Sequence, residues 1–248
     1  MRSVAFALLA ALFASPALAA SPPPVFNWTG YYVGLNVGYG WGAENRTQTT
    51  SNGVGNTCPA FGPAGCDIVD TTLKGALGGL QFGGNYQSGA WVFGLQADFA
   101  WTGIDGCGQF FFSPPGWEGC AKVHWLFAQT GRIGYAGWDN GRLLAYVKGG
   151  VAEVETARYA TMPGAIQITE TQTETRTGWT AGGGVEWAFA DAWSAFIEYD
   201  YADFGRENYL AVGTGALAGS LENFDVKEHF QQVKFGVSFH FMPWQKAK

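Results

Sequence analysis

In residues 31–41 every second side chain is bulky and apolar (Tyr31, Val33, Leu35, Val37, Tyr39, Trp41), and Gly34, Asn36, Gly38 and Gly40 lie between them. A helix of 3.6 residues per turn would scatter such a series around its circumference, whereas a strand gathers it on one face. The same period of two returns in residues 78–86, 91–101, 125–135, 143–151, 179–189, 193–201 and 233–241. It is cleanest in 91–101, where Trp91, Phe93, Leu95, Ala97, Phe99 and Trp101 alternate with Gly94, Gln96 and Asp98. The chain must therefore find a place for the apolar faces of eight strands.

The connections between these segments decide how that is done. Long ones (42–72, 102–123, 153–173, 205–228) alternate strictly with tight ones (87–90, Asp139-Asn140-Gly141, Ala190-Asp191-Ala192). An up-and-down barrel in an outer membrane requires this pattern, with long loops outside and short turns on the periplasmic side. A sandwich has no reason to collect its long loops at one end. Aromatics bracket the strands near their ends (Trp41, Trp91, Trp101, Trp125, Tyr135, Trp187, Trp193, Phe241), as rings at two water interfaces should. Glycine and short polar groups fill the other face, which suits a narrow lumen. The expected fold is all-β: an eight-stranded antiparallel up-and-down transmembrane β-barrel with long extracellular loops and short periplasmic turns. One outward position breaks the apolar series, Gln129, which faces lipid if the alternation of its strand holds and is displaced if a bulge intervenes.

Composition narrows the function. The chain has 37 Gly, 19 Phe, 11 Trp and 10 Tyr but only 14% charged residues, which excludes a disordered chain. A net charge of −6 argues against a nucleic-acid partner. Residues 1–19 read as a cleaved signal peptide, with Arg2, an apolar core and Ala17-Leu18-Ala19 before the cut; residues 20–241 form the barrel domain and 242–248 a periplasmic tail. Beyond Ala20 the longest apolar run, 181–197, is interrupted by Glu186 and Asp191, so no membrane-spanning helix is expected.

Eight charges are assigned to the lumen: Lys74, Asp98, Arg132, Lys148, Glu186, Glu198, Asp200 and Lys234, four of each sign. Buried charges persist when paired, so they are read as ion networks that plug the barrel; the alternative is a polar pathway for small solutes. Counting from the short turns puts Arg132 and Glu186 near one level, with Lys148, Glu198, Asp200 and Lys234 higher. Four cysteines, Cys58, Cys66, Cys107 and Cys120, fall as two pairs, each within one expected outer loop. Three connectivities are open, and local pairing closes each loop on itself. No Cys-x-x-Cys occurs and histidine is scarce (His124, His229, His240), so no metal or other cofactor is expected. No P-loop, His-Glu-x-x-His or Gly-x-Ser-x-Gly is present, and no nucleophile is set beside His229 by register, so no catalytic site is assigned.

The opening Asn27-Trp28-Thr29-Gly30-Tyr31-Tyr32-Val33-Gly34-Leu35-Asn36-Val37-Gly38-Tyr39-Gly40-Trp41-Gly42 resembles the start of the Omp25/Omp31-type outer-membrane proteins of alpha-proteobacteria, the porin-family or outer-membrane immunogenic proteins. Trp91-Val92-Phe93-Gly94-Leu95-Gln96-Ala97-Asp98-Phe99 and Gly182-Gly183-Gly184-Val185-Glu186-Trp187 do so too. The resemblance implies an outer-membrane barrel delivered by the barrel-assembly machinery, in contact with outer-membrane lipids and lipopolysaccharide. Lys234, Gly236, Phe239 and Phe241 resemble its last-strand assembly signal, although seven residues follow Phe241 here. The expected role is a non-enzymatic envelope protein that displays surface loops. The alternatives are a porin-like channel or a surface haem binder using His124 and His229, and, third, a lipid-modifying enzyme.

Overall fold

The computed structural model describes residues 26–51, 68–110, 116, 118–161, 172–212 and 221–241. Eight strands run β1 (Gly30–Ser51), β2 (Ile68–Ser88), β3 (Trp91–Gln109), β4 (Glu118–Trp138), β5 (Leu143–Thr161), β6 (Gln172–Ala190), β7 (Trp193–Val212) and β8 (Leu221–Phe241). Each pairs antiparallel with its neighbours, and β8 returns to β1 to close the barrel. Closure leaves no strand edge unpaired, the condition for crossing a bilayer with strands. Among the described residues no helix is long and apolar enough to cross a membrane. The segment read as a signal peptide, the tail, Cys58 and Cys66 lie outside the described residues.

The tight turns follow from local chemistry. Gly89, at φ 63°, reverses the chain between Ser88 and Trp91. Asp139 and Asn140 take φ values of 50° and 53° and Gly141 82° in the short 3-10 turn before β5. Such left-handed angles favour Gly, Asn and Asp.

Outward positions carry the apolar set: Leu35, Val37, Phe82, Leu95, Val147, Ile197 and Phe235 are all exposed. Aromatics gather at two heights. At the turn end Trp91 packs on Tyr135 at 5.4 Å, and Trp193 on Phe239 at 5.0 Å. At the other end Phe99 packs on Trp101 at 4.7 Å and Trp179 on Tyr201 at 5.4 Å. Ten residues separate Trp91 from Trp101, so a strand tilted by about 40° rises about 25 Å between the belts, the height of an outer-membrane apolar band.

The strands do not stop at the outer belt. β1 runs on from Trp41 to Ser51, and β7 from Tyr201 to Val212, so these strands project roughly 25 Å past the belt and the connections are shorter than the sequence pattern implies. The apolar marker vanishes there because the outer face turns polar, with Asn45, Asp70, Asp105 and Lys122 exposed. Two irregularities also reset the alternation. A register shift at Val123/Trp125 makes odd positions of β4 inward above His124, and one at Asp203/Arg206, around Gly205 at φ 67°, turns Tyr209 into the lumen.

Candidate functional site: a layered lumen

The inward face of each strand builds the lumen in layers. At the turn end the segment before β1 folds across the mouth. Trp28, 1% exposed, donates its Nε1 hydrogen to the Gly141 carbonyl at 2.8 Å, and its backbone N–H is received by Gln87 Oε1 at 2.8 Å. Phe26 joins it, and both cluster with Val92, Ala136, Leu144, Tyr146 and Ala188.

Directly above, Arg132 on β4 reaches Glu186 on β6 at 3.2 Å. It also donates to Asn85 Oδ1 at 2.9 Å and Gln96 Oε1 at 3.2 Å, between the Tyr32 and Tyr146 rings at 4.5 and 5.0 Å. Glu186 accepts the Ser194 hydroxyl at 2.5 Å and lies 3.4 Å from His240 Nε2. Ser194 Oγ and His240 Nε2 are 2.8 Å apart, but the hydroxyl points its hydrogen at Glu186, and the imidazole lies against Trp28, ring centres 5.4 Å apart. A nucleophile and base do meet here, a pair that register counting had not found, and they sit under the Trp28 cap.

The next layer is a cluster of five charges. Lys148 Nζ lies 3.2, 2.7 and 3.1 Å from Asp98, Glu198 and Asp200, and Lys234 Nζ 3.1, 2.7 and 2.9 Å from the same three carboxylates. The Tyr146 hydroxyl donates to Glu198 at 2.8 Å. A cavity of about 30 Å³ opens above, lined by Asn36, Asp200 and Gln232 and large enough for a water molecule. An apolar layer roofs it: Leu73, Leu77, Ala100, Ile104, Leu126, Val154, Phe204 and Phe230 pack from six of the strands with Ala121, Val123 and Ala152.

A second ion network lies above that layer, beyond the outer belt. Arg158 bridges Glu44 at 2.8 Å and Glu228 at 3.0 Å. Arg46 pairs with Glu44, and Arg176 lies 3.5 Å from Glu228 and 3.0 Å from Glu207. Burial opposes the charge on both central carboxylates. Arg46 and Arg158 nevertheless hold Glu44 below the usual carboxylate range, whereas burial and the neighbouring Glu44 push Glu228 above it. Tyr209, Phe224 and Val226 close over this network.

Seven of the eight assigned lumen charges are brought together in the lower two charged layers. Lys74 is not. It is exposed on the outer face at the register position of Trp41, because it lies an even number of residues from Leu80 and the β1–β2 register is unbroken between them. The expected balance of four against four is thus three cations against four carboxylates, and His240 Nε2 lies 3.4 Å from Glu186. The upper network is missing from the sequence reading, although Glu44, Arg46, Arg158, Arg176 and Glu228 share the inward parity of Asn36, Lys148, Glu186 and Lys234; four of them fall in segments read as loops, and Arg176 lies just before the segment read as a strand.

Of the residues read as an assembly signal, Phe239 and Phe241 pack edge to face at 4.8 Å in the lower belt. Gly236 leaves room for the Phe196 ring and the Leu35 carbonyl, which an added Cβ would strike. Cys107 and Cys120 form a disulfide, but as cross-strand partners on β3 and β4 rather than within a loop. With Glu118 they hold the three potential metal-ligand atoms of one small cluster, and the disulfide occupies both sulfurs. Because strand pairing already sets this register, reduction is expected to cost at most about 3 kcal/mol and to leave the folded band on an unheated gel in place; loss of that band on reduction would contradict it. His124 and His229 stand on β4 and β8, opposite walls, the first 3.1 Å from Glu155 and the second stacked on Tyr201 at 6.1 Å, so they are not brought to one ligand.

Comparison with known proteins agrees with this architecture. The family model for the outer membrane protein beta-barrel domain matches residues 5–241. The 31 kDa outer-membrane immunogenic protein of Brucella melitensis is 30% identical over 258 residues, covering 97% of this chain and 100% of its own. The 25 kDa outer-membrane immunogenic protein of Brucella abortus is 26% identical over 240 residues, covering 94% and 92%. Among solved structures, the outer membrane protease OmpT of Escherichia coli superposes with a TM-score of 0.53 over 87% of this chain and 98% of that one; at 9% identity this is a likeness of fold alone.

Proposed function

Since the chain belongs to the outer membrane protein beta-barrel domain family and stands with the Brucella immunogenic proteins within it, we propose that it acts as a closed, non-enzymatic barrel of the outer membrane. Its work on this reading is to hold a rigid rim and loops at the cell surface, in contact with outer-membrane lipid and lipopolysaccharide, after delivery by the barrel-assembly machinery.

The observation that carries the closed lumen is the apolar layer between the two ion networks. A hydrated ion moving along the axis would have to break the Lys148 and Lys234 pairs, shed its water against Leu126 and Phe230, and then break the Arg158 bridge. Eight strands leave an interior that side chains fill, whereas water-filled porins use 16 or more. Purified protein in a planar bilayer is expected to give no steady single-channel steps. Stable, reproducible conductance from folded monomer would overturn the closed reading in favour of a solute channel.

A further inference from the structure

Between the two aromatic belts the outward positions of the eight strands are aliphatic, aromatic or glycine, with one exception. Gln129 in β4 faces outward between Ala97 and Val151, six residues from Tyr135 in the lower belt and four from Trp125 in the upper. Gln231 and Glu153 do not share its depth: Gln231 is at the register position of Trp41 and accepts the Tyr199 hydroxyl at 2.9 Å, and Glu153 is ten residues above Leu143, at the outer interface. The bulge considered for Gln129 is absent, since the β4 register runs unbroken on both sides of it from Trp125 to Tyr135. No described group hydrogen-bonds its amide.

Beside it the barrel wall is hollowed. An open groove of about 970 Å³ has Gly84, Ala97 and Gly131 along its floor and Phe82, Phe93 and Leu95 as its sides. At Gly131 the barrel's own packing does not require a bare floor, since a Cβ added there would meet nothing within 4 Å, whereas one at Gly84 would press on the Tyr31 ring. A polar amide with no partner in hydrocarbon is costly, and bare backbone around it allows another surface to approach closely.

We propose that this face is the interface of a parallel dimer, in which Gln129 hydrogen-bonds to Gln129 of a second copy. Copies inserted by the same route share one orientation, so a two-fold axis between them must run along the membrane normal and equal depths must meet. An amide suits that symmetry because it carries both donor and acceptor, so each copy satisfies the other. A lipid chain would fill the groove but offers the amide nothing at this depth.

The test uses fluorophore-labelled full-length protein in phospholipid vesicles, with bleaching steps counted as protein is diluted in lipid. Wild type is expected to pass from two-step to one-step spots over a defined dilution. Gln129→Leu should weaken association by roughly tenfold. Gly131→Leu, which fills the floor without touching the barrel's interior, should leave only monomers, with the folded band on an unheated gel confirming the barrel. Oxidation of Gln129→Cys should give a covalent dimer and Val185→Cys, two strands round the barrel on β6, should not. A wild type monomeric at every dilution, an unchanged midpoint in Gln129→Leu, or a bound lipid lost from that variant in place of a second copy would each overturn the proposal. None of these outcomes depends on whether the lumen conducts.

Discussion

Replacing Lys148 and Lys234 together with methionine is expected to cost more than the sum of the two single replacements. Each ammonium contacts the same three carboxylates, Asp98, Glu198 and Asp200, so either one alone still neutralises part of the cluster. Each single change should destabilise the barrel by about 3–5 kcal/mol, the usual result of breaking a buried pair. With both gone no cation faces the three carboxylates, and the excess over additivity should reach at least about 1 kcal/mol. Urea unfolding in lipid vesicles, started from refolded protein, measures this without the cell's assembly machinery, which matters because Lys234 is also among the residues that resemble a last-strand assembly signal. Lys234→Arg should recover much of the loss. Additive losses would mean that the two lysines serve separate partners.

The opposite sign of coupling is expected one layer below. Arg132→Met leaves Glu186 with only Ser194 and His240, and Glu186→Leu leaves the guanidinium with neutral amides and two rings. Each should cost about 3–5 kcal/mol, because an unpaired charge remains in a dry interior. The double replacement removes both charges and should recover part of the combined loss, giving a coupling of about 1–3 kcal/mol. Strictly additive losses would show that water or another group already screens the pair.

The two cycles rest on information of different kinds. That Arg132, Lys148, Glu198 and Lys234 face inward follows from parity within single strands, and parity is local: successive side chains alternate as long as the register is unbroken. Parity also places Lys74 outside with Leu80, and it places Glu44 and Arg158 inside once their strands are known to continue. What hid the continuation was chemistry. Past the outer belt the exterior meets water, the apolar signal that marks a strand ends, and the shifts at His124 and Gly205 reverse the parity of β4 and β7.

The sequence by itself determined the number of strands, the three tight turns, the face on which most side chains lie and the membrane that suits them, because each is set by neighbours a few residues apart. Only the tertiary structure decided which charges meet. Contact across a lumen depends on the stagger of all eight strands around the closed barrel, and no single strand encodes that quantity. The common depth of Arg132 and Glu186 could be counted from the turns, but the convergence of Lys148 and Lys234 on one set of carboxylates could not. The same closure inserted Trp28 across the mouth of the barrel, since its contact with Gly141 requires the circuit of strands to be complete, whereas Cys107 meets Cys120 through the pairing of β3 with β4 alone.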